Sequence, residues 1–187
     1  MNRIATDLEG VWIFEPKVFG DGRGFFMETW NRDRYAEAGL TATFVQDNVS
    51  RSSRGVLRGL HYQTPNGQGK LVQVLEGEVL DAAVDIRVGS PTFGRSVAVT
   101  LSDTNFRQLY IPPGFAHGFY VQSPTAIFAY KCTAFYNPAA EGGVLWNDPD
   151  LKIPWMAEHP LLSEKDGRYP RLKDISPDKL PHYGDAR

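Results

Sequence analysis

The sequence predicts an all-β fold, a sandwich or barrel of jelly-roll type. Its apolar stretches are short and rich in β-branched and aromatic residues. Turn clusters separate them at close intervals: FGDGRG, EGE, VGSPTFG, SDTN and QSPT. Only one segment carries helical start and stop signals. With 42% hydrophobic residues over 187 positions, one domain can close its core without metal or disulfide staples.

Taken in order, strands are expected at Val11–Phe14, Phe25–Trp30, Phe44–Ser50, Val56–Tyr62, Lys70–Leu75, Val79–Val88, Arg95–Leu101, Arg107–Ile111, Gly118–Val121 and Ala126–Thr133. The helix is expected at Arg32–Ala38, with Asn31 as N-cap and Gly39 just past its end. From Pro149 the texture changes. Pro154, Pro160, Pro170, Pro177 and Pro181 break any periodicity. Residues 149–187 should therefore form an extended tail with short helical turns, packed on the barrel within a single domain 1–187.

Composition removes several functions. The net charge is −2 and like charges do not cluster, so no nucleic-acid footprint is present. Cys132 is the single cysteine, which rules out an intramolecular disulfide. No histidine–cysteine spacing suits zinc. The chain shows no apolar signal core and no apolar run of about 18 residues, so a cytoplasmic protein without membrane contact is expected.

The stretch RGLHYQTPNGQGKLVQVLEGEV, Arg58 to Val79, brings Arg58, His61 and Lys70 into one strand–loop–strand unit. A β-sheet core would not choose these three for stability. They suit proton abstraction beside a carbonyl on an anionic substrate: a base, a holder for the developing oxyanion, and a grip. Strand parity raises a difficulty. In a regular strand Arg58 and His61 point to opposite faces. They can meet one ligand only through a kink, with Gly59 the natural bulge site, or through a second subunit. Lys70 shares a face with Val72 and Val74 and should point into the barrel.

A second stretch, QLYIPPGFAHGFYV, contains Pro112-x-Gly114-x-x-His117. It resembles the second motif of the cupin superfamily, whose fold is a double-stranded β-helix. The first cupin motif carries a His-x-His pair and a glutamate as metal ligands. Here that place reads His61-Tyr62-Gln63, and Glu76 near the glutamate position cannot restore the set. Two histidines without a matched carboxylate make a poor metal site, so no metal is expected.

The resemblance extends from about Ile4 to Arg168. VFGDGRGFFMETWN, FVQDNVSRSSRGVLRGLHYQ, QGKLVQVLEGEVLDAAVDIRVGSPTFG, IPPGFAHGF, AYKCTAFYNPAAEGGVLWNDP and LSEKD together resemble the dTDP-4-dehydrorhamnose 3,5-epimerases. The resemblance implies a cofactor-free and metal-free cupin, usually a homodimer, acting on a dTDP-linked 4-keto-6-deoxyhexose. It implies His61 as general base, Asp166 as the carboxylate orienting it, Tyr130 as the acid on the opposite face, and Lys70 beside the ketone oxygen. Taken alone, Asp166 would read as a solvated turn residue, Tyr130 as a core aromatic and Lys70 as an exposed strand end.

The resemblance also implies substrate contacts at Arg23, Glu28, Gln46, Asp47, Asn48, Arg58, His117, Glu141 and Lys165, with Tyr136 stacked on thymine. Arginine suits a diphosphate through its bidentate fork. Ser50 and Arg51 are further candidates. Arg23 and Glu28 can serve the neighbouring subunit's site. Other readings stay open: inversion at carbon 3 or carbon 5 only, a 3,4-ketoisomerase, or a non-catalytic sugar-nucleotide-binding cupin.

Overall fold

Residues 1–184 are described by a computed structural model of the chain. Among them, antiparallel pairing joins short strands into two sheets and a hairpin. The six-stranded sheet runs in the order β1 (Asn2–Ala5), β2 (Trp12–Glu15), β10 (Gln108–Ile111), β7 (Lys70–Glu76), β12 (Thr125–Cys132), β5 (Gln46–Ser53). The five-stranded sheet runs β13 (Glu141–Gly143), β6 (Leu57–Gln63), β11 (Phe115–Val121), β8 (Glu78–Asp85), β9 (Ser96–Ser102). Strands β3 (Val18–Asp21) and β4 (Gly24–Met27) form the separate hairpin. The expected jelly roll of cupin type is the architecture found.

Alternation along the strands builds the inner core. Val72, Val74, Leu109, Ile111 and Phe128 from one sheet meet Val79, Ala83, Leu101, Phe115, Phe119 and Val121 from the other. Phe119 and Phe128 stack at 4.1 Å between centroids. Truncating such a buried ring costs about 3–5 kcal/mol. Strand β8 is buried along nearly its whole length because both of its faces are covered. Leu80, Ala82 and Val84 point outward and are capped by Trp155, Leu172 and Leu180 of the tail.

Helix α1 (Arg32–Glu37) covers the other sheet. Asn31 caps it by accepting from the Arg34 N–H at 3.2 Å, and Gly39 follows with φ 96°. Its buried face is Tyr35, which packs on Phe14 and Trp30. The tail contains short 3-10 turns at Asp166–Arg168, Leu172–Asp174 and Pro177–Lys179. It is tied down by Trp155 Nε1–H donating to Trp146 O and the Leu172 N–H donating to Asp148. Residues 185–187 of the expected tail lie outside the described residues. No helix among the described residues is long and apolar enough to cross a membrane.

Three strands were not expected: β1, β3 and β13. The expected strand Phe25–Trp30 is also shorter, ending at Met27 so that Trp30 can pack on α1. The parity difficulty in β6 resolves at Gly59, where φ is 128°. Pairing of β6 with β11 slips in register between His117 and Phe119. The backbones touch there: a Cβ on Gly59 would meet Gly118 Cα at 2.5 Å, and one on Gly118 would meet Arg58 O at 2.6 Å. Leu57, Leu60 and Tyr62 then all join the outer cluster, while Arg58 and His61 line the same cavity.

Candidate active site

One mouth of the barrel is polar. β5 contributes Gln46, Asn48 and Ser50, β6 contributes Arg58 and His61, β7 Lys70, β11 His117, β12 Tyr130, and β13 Glu141. The tail turn adds Lys165 and Asp166. They line a cleft with two lobes of about 280 Å³ each, which share His61, Lys70, Tyr130 and Glu141. Phe119 and Phe128 form its apolar floor.

His61 Nε2 lies 2.6 Å from Asp166 Oδ1. The Asp166 side chain is 5% exposed and that of His61 32% exposed. Burial would raise the Asp166 carboxyl, but hydrogen bonds from His61, Ser163 and the Gly59 N–H outweigh it and hold the group below its ordinary range. A carboxylate on Nε2 fixes the neutral tautomer with the proton there and leaves Nδ1 as the basic nitrogen.

Tyr130 stands on the opposite sheet, in register with Val72 of β7 and Asn48 of β5. Burial and the adjacent Cys132 raise its phenol against an opposing pull from Arg58, so it keeps its proton at neutral pH. Lys70 faces the cavity from β7. Burial lowers its ammonium, with Cys132, Asp81 and Glu141 working the other way. Arg58 donates to Ser52 Oγ at 3.1 and 3.2 Å. The nearby Ser50 hydroxyl is buried and unpaired.

A second histidine–carboxylate pair sits behind the first. Both carboxylate oxygens of Asp81 lie within hydrogen-bond distance of His117 Nε2, at 2.9 and 3.0 Å. Burial lowers the His117 imidazole, with Asp81 opposing and Lys70 and His61 reinforcing. Its Nδ1 thus carries a lone pair. Asp81 was not anticipated. The signal was legible: in VLDAAV a carboxylate sits among apolar neighbours on a strand, where acids are almost never buried unpaired.

At the rim, Glu141 accepts from Lys165 Nζ at 2.5 Å and from the Tyr136 hydroxyl at 2.8 Å. Burial would raise Glu141, but those two donors keep it low. Three expected contacts lie elsewhere. Asp47 alternates to the other face of β5 and pairs with Lys131 at 2.9 Å. Glu28 bonds Arg34 and Asn31 beside α1. Arg23 sits on the β3–β4 hairpin against Asp21.

Compared with known proteins, the sequence matches the family model for dTDP-4-dehydrorhamnose 3,5-epimerase over residues 5–174. The chain belongs to the dTDP-4-dehydrorhamnose 3,5-epimerase family. A dTDP-4-dehydrorhamnose 3,5-epimerase from Shigella flexneri is 58% identical over 168 residues, covering 89% of this chain and 93% of its own. A crystal structure of dTDP-6-deoxy-D-glucose-3,5-epimerase from Legionella pneumophila Philadelphia 1, in complex with dTDP-4-keto-L-rhamnose, superposes with TM-score 0.95. That protein is 55% identical, and the match covers 97% of this chain and 98% of the other. A dTDP-4-dehydrorhamnose 3-epimerase from Streptomyces niveus is 43% identical over 161 residues, covering 85% of this chain and 78% of its own.

Proposed function

We propose that this chain is an isomerase that inverts carbons 3 and 5 of dTDP-4-keto-6-deoxy-D-glucose, giving dTDP-4-keto-L-rhamnose. The observation that carries the residue roles is His61 on one sheet, paired with Asp166 of the tail turn, in one cleft with Tyr130 and Lys70 of the other sheet. The ketone at carbon 4 acidifies the hydrogens on both neighbouring carbons. His61 Nδ1 takes one of these protons, the C–H pair enters the ring, and an enolate forms. The Lys70 ammonium stabilises the enolate oxygen. The Tyr130 hydroxyl returns a proton to the same carbon from the other face, leaving a phenolate and an imidazolium. Solvent resets both before the second inversion. Each acid–base element contributes on the order of 10² to 10⁴ in rate.

Arg58 and Lys165 grip the diphosphate, with Ser50 available as a donor. Gln46, Asn48 and Tyr136 line the second lobe and take the thymidine. His117 Nδ1 accepts from a sugar hydroxyl. Catalysis proceeds without metal: Gln63 stands where a second ligand histidine would, and its side chain is committed to Asn66 O, Phe135 O and the Asn137 N–H. The working form is a homodimer. Phe19, Phe25 and Phe26 of the hairpin are 52%, 60% and 69% exposed, and Arg23 and Glu28 have no place in the cleft of their own chain. They serve the partner's nucleotide. Residues 149–184 belong to the same folding unit, supported by Trp155, Leu172 and Leu180 in the outer cluster. A free buried thiol at Cys132 accords with the reducing cytoplasm.

The test is product stereochemistry by NMR after incubation with dTDP-4-keto-6-deoxy-D-glucose, before and after exhaustive chelation. The doubly inverted sugar at an unchanged rate is expected. Inversion at carbon 3 alone would move the chain to the activity named for the Streptomyces niveus relative. Activity lost on chelation and restored by one metal would overturn the metal-free reading.

A further inference from the structure

His61 is held from two directions by one short segment of the tail. The turn at Asp166–Arg168 brings Asp166 onto Nε2, and Tyr169, which follows it, brings its ring against the imidazole. The two ring centroids are 5.8 Å apart with planes at 70°. An edge-to-face contact of this kind is favourable in its own right. Tyr169 reaches this place because residue 143 has no side chain. Gly143 pairs with His61 across β13 and β6, and a Cβ on it would overlap the Tyr169 ring. The backbone at Gly143 is not in the left-handed region, so its own conformation does not require glycine. The ring contact supplies the reason.

The Tyr169 hydroxyl does not explain the residue. It is buried and makes no hydrogen bond of good geometry, with the Lys165 ammonium of the same turn as the polar group beside it. The ring is the part with a structural use. The need for it follows from rotamer physics. The outer torsion of histidine is broad and roughly two-fold, so one hydrogen bond at Nε2 leaves the ring plane free to swing. A base that must present Nδ1 to two different carbons of one sugar cannot tolerate that freedom.

We propose that Tyr169 is a positioning residue, whose ring locks the plane of the His61 imidazole so that Nδ1 is aimed into the cleft. This rests on the reading of His61 as the base. Tyr169 does not touch substrate, so its loss acts on turnover and not on binding. The hydroxyl is dispensable and the ring is not.

The experiment compares Tyr169→Phe, Tyr169→Ala, Gly143→Ala and the double variant Gly143→Ala/Tyr169→Ala. Turnover, KM, dTDP affinity and deuterium wash-in at carbons 3 and 5 are measured on each. Tyr169→Phe should keep kcat within about twofold of the parent, because the ring remains. Tyr169→Ala should lower kcat about 10- to 100-fold with KM and dTDP affinity nearly unchanged, the cost of a misaimed base. Gly143→Ala should reproduce that loss by pushing the ring away, and it carries the test if the tyrosine deletion does not fold. The double variant should be no slower than the worse single one, because the added methyl then has room. Parental kcat in a folded Tyr169→Ala protein would overturn the proposal. So would a Tyr169→Phe variant as slow as the alanine one, since the hydroxyl would then be the working part. His61→Ala is run alongside. If it still exchanges at the parental rate, the assignment of the base is what fails, whatever Tyr169 does.

Discussion

Replacing Asp166 by asparagine removes a charge and little else. The amide has the carboxylate's shape, and the site is closed: the Asp166 side chain is 5% exposed. The parent holds His61 Nε2 at 2.6 Å through a charge-assisted hydrogen bond. Such a bond contributes about 1.5–3 kcal/mol. It strengthens as His61 becomes an imidazolium, so most of it belongs to the transition state. At about 1.4 kcal/mol per decade, kcat should fall roughly 10- to 100-fold. If the substituted amide turns its NH₂ toward the ring, the proton moves to Nδ1 and the base is switched off. The loss then approaches about 10⁴-fold, as for an orienting carboxylate lost from a catalytic triad. The assay is steady-state turnover with deuterium wash-in at both carbons and dTDP affinity in parallel. KM and dTDP binding should hold within about threefold, which marks a loss confined to the transition state. A variant turning over within about twofold of the parent would refute the role of Asp166. Stability should respond to pH with a defined sign. The folded Asp166 carboxyl is lowered by its donors despite burial. Its contribution is therefore present above the ordinary carboxylate value of about 3.9 and is lost as pH falls through the folded value. The deficit of Asp166→Asn should be full at neutral pH and shrink in acid.

Tyr130→Phe should let deuterium exchange continue while the yield of doubly inverted sugar drops, because His61 still removes protons and returns them to the original face. Exchange and product stereochemistry measured in one sample check this. Asp81→Asn should lower the midpoint of thermal unfolding, reflecting about 1–3 kcal/mol for weakened support of buried His117. It should also move the alkaline limb of the kcat profile to lower pH. Asp81, Cys132 and Glu141 are the groups that oppose the lowering of Lys70 by burial, so deleting one negative charge lets that ammonium lose its proton sooner. Asp85→Ala should cost about 3–5 kcal/mol in urea unfolding by stranding Arg87. Burial would raise Asp85, but Arg87, Ser90 and Thr92 hold it low, so the gap to the parent should narrow as pH drops below about 4.

The strands from β5 to β12 were legible because turn clusters bracket each one and because alternation survives on both sheets. The helix was legible from Asn31 and Gly39 alone. What stayed hidden depended on partners. β13 is Glu-Gly-Gly, with no strand propensity, and it exists because β6 offers an edge. β1 is four residues, mostly exposed, and takes its register from β2. Strand β3 exposes its phenylalanine, so no inward face announced it, whereas its partner β4 was expected within Phe25–Trp30. In the cleft, Arg58, His61 and Lys70 stood out as polar residues placed where a sheet has no use for them. Gly59 was marked as the bulge, but the matching glycine across the sheet, Gly118, could not be paired with it from sequence. Asp166 and Tyr130 carried no local signal and came only through the family resemblance. Asp81 carried a local signal that was passed over. The alternation of β5 placed Gln46, Asn48 and Ser50 on the cleft side and turned Asp47 and Arg51 away, a division that the run VQDNVSR contains once the strand is recognised.

The central claim is that one imidazole abstracts the protons at both carbons. His61→Ala tests it most directly, with dTDP-4-keto-6-deoxy-D-glucose in heavy water and exchange followed at carbons 3 and 5 by NMR. Exchange at both carbons should be lost together, by about 10² or more, while dTDP binds with nearly parental affinity. Exchange continuing at either carbon at the parental rate would contradict it, because a second base would then be at work in the cleft.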